Sequence, residues 1–204
     1  MYEFPKAQPQ VDTAKPTVLI AGVGNVLLGD DGFGVEVANR LMAHSNLPDW
    51  VKVIETGIGG MSLIQELMQG FEALIIVDAY SRGGKPGQIY LLEPILPDLT
   101  DLAPSQLRDY FADTHYATPI RALSLLAQVA EPPKILRILG CEPKDLDDMK
   151  IGLSAEVTNA VVLAVDLITK LLENYQNDGL GTVEIKDVEQ QNQQWCPNVE
   201  RKKN

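Results

Sequence analysis

Two stretches of the chain carry no polar side chain at all, Val18-Leu-Ile-Ala21 and Ala73-Leu-Ile-Ile-Val77. A strand with one wet face alternates apolar and polar residues. A strand covered on both faces has no such need and reads as an unbroken apolar run. Two such runs therefore demand a sheet with helices on both sides. The intervening sequence supplies them. Val35, Ala38, Leu41 and Met42 recur at helical spacing, as do Met61, Ile64, Leu67 and Met68, and again Ile120, Leu123, Leu126 and Ala127. Strands are expected over 17–22, 51–55, 73–78, 88–92 and 135–139. Helices are expected from about residue 34 and over 61–68, 119–129 and 154–172, the third starting at a Thr118 cap followed by Pro119 and the last capped by Ser154. Mostly alternating strands and helices give an α/β fold: a single-domain three-layer sandwich with a mostly parallel, twisted five-stranded sheet and helices on both faces.

The remaining sequence divides accordingly. Residues 1–16 are Pro-interrupted and polar and read as a flexible arm without the apolar core of a secretory signal. Residues 17–173 hold the α/β domain. Residues 174–204 are rich in Asn, Gln, Asp and Glu and read as a mobile tail. The long connection over 93–117 has little periodicity, which in a compact domain often marks function.

Charge narrows the partners. With 28 acidic against 17 basic residues, the net charge is −11. Phosphate backbones and anionic membrane surfaces bind through clustered Lys and Arg, so nucleic acid and membrane are both disfavoured. A basic polypeptide segment suits the charge, and so does plain solubility. No apolar run is long and uncharged enough to span a bilayer. Two cysteines, Cys141 and Cys196, make no disulfide framework, which points to the reducing cytoplasm.

In parallel sheets ligands bind beyond the carboxyl ends of the strands. The first strand leads into Gly22-Val-Gly-Asn-Val-Leu-Leu-Gly-Asp-Asp-Gly-Phe-Gly34, and the third ends in Asp78. A dinucleotide loop would need a third glycine at Leu27 and would not set Asp30 and Asp31 against a pyrophosphate. Asp31 and Asp78 thus belong to one sheet edge. Of the two histidines, His44 falls at a helix end, where a cation is favourable. His115 falls in the long loop just before Thr118 and is the candidate to join the carboxylates. Two carboxylates and an imidazole suit a borderline divalent metal with open coordination positions, which can polarise a carbonyl or activate water. Cys141 reads as a buried small residue rather than a further ligand. Asp30 either caps the first helix or orients Asp31.

The pattern Gly22-x-Gly-Asn-x-Leu-x-x-Asp-Asp-Gly-x-Gly34 resembles the opening signature of the maturation endopeptidases of nickel–iron hydrogenases. Glu55-Thr-Gly-Ile-Gly-Gly-Met61, Ile75-Ile-Val-Asp-Ala79, Lys85-Pro-Gly87 and Ile151-Gly-Leu-Ser154 follow in the family's order, so the resemblance spans residues 17–173. It implies a hydrolase that removes the C-terminal extension of a hydrogenase large-subunit precursor after nickel insertion. It implies metal contacts from Asp31, Asp78 and His115 to nickel carried by the substrate, with no tightly bound metal in the free enzyme, and a cytoplasmic monomer. Asn25, Gly57, Gly59 and Gly60 are expected to shape the cleft. Two other readings remain at this point. One is a non-catalytic chaperone of the nickel subunit. The other is a Mg-dependent phospho-receiver module, although its acidic pair should follow the first strand at once and its last strand should end in lysine.

Overall fold

The computed structural model describes residues 17–43, 47–58, 60–97, 99, 103, 105–106, 119–146, 149–178 and 180. The five strands are β1 (Val18–Val23), β2 (Val51–Gly57), β3 (Ala73–Ala79), β4 (Ile89–Leu92) and β5 (Ile135–Cys141). The helices are α1 (Phe33–Ala43), α2 (Gly60–Leu67), α3 (Pro119–Val129) and α4 (Ala155–Asp178), with a short 3-10 turn at Gly29–Gly32 ahead of α1. One sheet holds all five strands in the order β2-β1-β3-β5-β4. Every pairing is parallel except β4 against β5 at one edge.

The two apolar runs occupy the middle of this sheet, and their alternate residues feed two different cores. Val18 and Ile20 of β1, with Ala73, Ile75 and Val77 of β3, face α1 and α4. Leu19, Ala21, Leu74 and Ile76 face the other way, onto Leu63, Ile64 and Leu67 of α2 and Leu123 and Leu126 of α3. Both strand faces are dry, which is why neither carries a polar position.

The helical faces differ from expectation in detail. Val35, Ala38 and Leu41 are buried as expected, but Met42 is exposed, and Phe33 and Val37 join the core. The reason is that α1 lies on the sheet and also against α4, so it buries a wider arc than a single stripe. On α2, Met61 and Met68 are exposed and Leu63 is buried.

The last helix is longer than the expected 154–172. Helix α4 does not stop at Leu172 but runs to Asp178. Tyr175 stacks on Trp50 with ring centroids 5.3 Å apart, and Leu180 is buried in the α1/α4 core. Ile168, Leu171, Leu172 and Tyr175 keep helical spacing, so the apolar stripe outlasts the change to polar composition. The arm 1–16, residues 181–204, both histidines and the Thr118 cap lie outside the described residues. Among the described residues no helix is long and apolar enough to cross a membrane.

Candidate active site

Strand β1 sits between β2 and β3, and the chain visits β2 first and β3 second. The chain steps from β1 outward to β2 and then crosses back to β3, so the winding reverses and the switch point, where α/β proteins hold ligands, falls at the carboxyl ends of β1 and β3. The loop after β1 and the end of β3 both lead into it.

Glycine makes the first of these loops possible. Gly34, in the first turn of α1, lies so close to the carbonyls of Val23 and Val77 that a side chain there would collide with both. The helix start is thereby seated directly on the ends of β1 and β3. Gly24 has φ +135°, and a Cβ on it would overlap the Asp31 carbonyl. The loop therefore folds back on itself and brings the 3-10 turn over the strand ends. Asp31 is half-buried in that turn, and its Oδ2 accepts the Asn25 N–H at 2.8 Å. The Asn25 side chain accepts the Leu27 N–H at 3.0 Å. Asn25 thus shapes the loop as expected, through backbone and side chain alike.

Asp78 is half-buried near the end of β3, which runs one residue past it to Ala79. Burial pushes its carboxyl up to about 8; the Asp31 charge pushes the same way, while the Ala79 N–H opposes. Burial also raises Asp31, against the Asn25 hydrogen bond. The two carboxylates therefore lie close enough that the charge of Asp31 disfavours that of Asp78. They are brought together as the sequence pattern implied. The third member, His115, lies outside the described residues. Among the described residues no three His, Cys, Asp or Glu side chains gather as a metal-holding group.

Asp30 does not cap α1. It is buried, at 3% exposure, and turned away from Asp31 toward the far end of the chain. Its Oδ2 accepts the Lys144 N–H at 2.8 Å and the Ser154 hydroxyl at 3.0 Å, and its Oδ1 accepts the Ser154 N–H at 2.6 Å. A phospho-receiver needs both acidic residues after its first strand at the metal, and here one is committed elsewhere. Cys141 is fully buried, and its thiol is pushed up to about 12 by burial and then by the charges of Asp30 and Glu142. It remains a neutral core residue.

Glu142 went unnoticed in the sequence. Its buried carboxylate accepts the Ser81 hydroxyl at 3.1 Å, the Arg82 N–H at 2.8 Å, the Gly83 N–H at 3.1 Å and the Tyr90 hydroxyl at 2.8 Å. Burial works to raise its pKa, but these donors outweigh it and hold the carboxyl below its usual range. A lone glutamate between Cys141 and Pro143 offers no periodicity from which this could have been read.

The segments that follow β1 and β2 and precede α4 carry exposed aliphatic side chains: Val26 and Leu27, Ile58 and Met61, and Met149 and Ile151. The segments that carry them are tied together by backbone bonds. Gly24 N–H donates to Gly57 at 3.0 Å, and Lys150 N–H to Leu27 at 3.0 Å. Exposed apolar side chains on neighbouring segments are what a polypeptide-binding surface looks like.

The comparisons with known proteins agree with this architecture. Residues 35–171 match the family model for hydrogenase maturation proteases. The chain is 33% identical to the hydrogenase 2 maturation protease of Escherichia coli over 159 residues, which is 76% of this chain and 90% of that one. It is 30% identical to the hydrogenase expression/formation protein HupD of Bradyrhizobium diazoefficiens over 159 residues, covering 78% and 79% of the two chains. Its fold superposes on the hydrogenase maturating endopeptidase HybD of Escherichia coli with a TM-score of 0.62 at 28% identity, over 77% of this chain and 92% of the other. The match spans more than half of the chain, and the chain therefore belongs to the hydrogenase maturation proteases, a family of hydrolases.

Proposed function

We propose that this protease removes the C-terminal extension from the large-subunit precursor of a nickel–iron hydrogenase after nickel has been inserted, and that the substrate's nickel is met by Asp31, Asp78 and His115. The observation that carries this is the placement of Asp31, in the turn after β1, close enough to Asp78, near the end of β3, for its charge to disfavour that of Asp78. Two carboxylates close together in partly dry surroundings gain when a cation arrives between them. Nickel held by the precursor supplies that cation as part of the substrate, so the metal serves as recognition element and as positioning template. The exposed aliphatic side chains support a protein substrate over a small molecule. The enzyme works in the cytoplasm as a monomer.

The test is incubation with a nickel-loaded large-subunit precursor and with its nickel-free form, read by intact mass. The expected result is loss of a C-terminal peptide from the loaded precursor alone. Cleavage of both forms removes nickel as the recognition element, and binding without cleavage moves the assignment to a chaperone of the nickel subunit. Asp31→Ala, Asp78→Ala and His115→Ala are each expected to abolish processing, and His44→Ala to leave it intact. Normal processing by His115→Ala removes that histidine from the site.

A further inference from the structure

Among the described residues only two charged side chains are buried, Asp30 at 3% and Glu142 at 4% exposure. Taking a carboxylate out of water costs several kcal/mol before its hydrogen bonds offset it, so a buried ion is a poor means of simply stabilising a fold. Each sits beside one of the two candidate working carboxylates. Asp30 immediately precedes Asp31. Glu142 grips the turn that begins three residues after Asp78, through the Ser81 hydroxyl and the N–H groups of Arg82 and Gly83.

Both are joined by one short piece of chain. Cys141 closes the β3–β5 ladder opposite Ala79, and its carbonyl accepts the Tyr80 N–H at 2.8 Å. Glu142 follows, its Oε1 accepting from the Ser81 hydroxyl and the Gly83 N–H and its Oε2 from the Arg82 N–H and the Tyr90 hydroxyl. Lys144, two residues on, donates its backbone N–H to Asp30. A single crossing thus holds the exit of β3 with one hand and the Asp31 turn with the other. Ser154 completes the hold on Asp30 from the start of α4.

We infer that the segment 141–144 is a brace that sets the position of Asp31 relative to Asp78, with Asp30 and Glu142 as its positioning residues. Neither touches substrate; each acts through its neighbour. This rests on the reading of Asp31 and Asp78 as the working carboxylates. A displacement of about 1 Å at reacting groups can cost about 100-fold in rate, which gives such a brace a catalytic consequence without any contact to the substrate.

The experiment uses the full chain with Asp30→Asn and Glu142→Gln. Two local reporters are available. The Asn25 N–H donates to Asp31, and the Ala79 N–H donates to Asp78. Hydrogen exchange at Asn25 is expected to quicken by about tenfold or more in Asp30→Asn, and at Ala79 in Glu142→Gln, with the amides of Ile20 and Ile75 unchanged. On the nickel-loaded precursor, kcat is expected to fall by about 10- to 100-fold with KM close to wild type. Unchanged protection at Asn25 and Ala79, or a loss of cleavage that only follows the melting temperature, overturns the brace. Failure of the wild type to cleave any precursor sinks the protease reading instead, and the exchange measurement still decides the brace. If either variant does not fold, Ser154→Ala, which removes the hydroxyl's bond to Asp30 and the Val157 N–H bond to that hydroxyl, and Tyr90→Phe, which removes one bond to Glu142, take their place with the same reporters and smaller effects.

Discussion

The Asp30 carboxylate accepts both the N–H and the hydroxyl of Ser154, at 2.6 and 3.0 Å, across 124 positions of sequence. Its neighbour Asp31 is half-buried and close enough to Asp78 for its charge to push that carboxyl up. Adjacent aspartates in one motif therefore sit in different surroundings: one is committed to a distant segment of the chain, the other is left partly exposed.

Asp78 gives the protein a pH signature. Its folded pKa, near 8, stands above the ordinary value of 3.8 that it regains on unfolding. Between those values the folded state holds a proton that the unfolded state has lost, so stability from this group is fully present below about pH 4 and falls as pH rises through 8. Asp78→Asn removes the penalty. It is expected to melt higher than wild type at pH 8.5 and to show no such advantage at pH 4. A gain of about 1 kcal/mol corresponds to about 2–4 °C for a domain of this size. Thermal melts at the two pH values check it.

Gly24→Ala is expected to disable the site from outside it. Its φ of +135° is unfavourable for any side chain, and the new Cβ would strike the Asp31 carbonyl. The backbone penalty alone is about 1–3 kcal/mol. The loop must shift, and Asp31 with it. Melting and precursor cleavage should both fall, with cleavage suffering more than the folded fraction explains. Cleavage at the wild-type rate would show that the tight fold-back of this loop is dispensable.

Cys141 is expected to be inert. A fully buried thiol pushed up to about 12 carries almost no thiolate at pH 8, and thiolate is the reactive form. Iodoacetamide should leave Cys141 unmodified in the native protein and alkylate it in denaturant, as read by peptide mass. Cys141→Ala should retain processing.

Truncation after Glu173 is expected to destabilise the domain. It removes Tyr175 from its stack on Trp50 and Leu180 from the core. Losing one large buried side chain typically costs about 2–5 kcal/mol. Denaturant unfolding followed by tryptophan fluorescence checks this, and an unchanged midpoint would keep the domain boundary at residue 173.

The sequence by itself determined the architecture. Short apolar runs closed by Gly22 and by Asp78 suit strands dry on both faces, so β1 and β3 declared both themselves and the helices that cover them. The same local logic put Asp31 and Asp78 at one edge of the sheet, because a residue that ends a parallel strand or opens the following loop has only that edge to occupy. Only the tertiary structure decided what Asp30, Glu142 and Lys144 do. Their partners lie 52 to 124 positions away, and a hydrogen bond between distant segments leaves no period in either of them. It also decided which methionines of α1 and α2 stay exposed and where α4 ends. Those outcomes depend on how wide an arc of each helix meets a neighbour, and that is a property of the packed molecule rather than of any one segment.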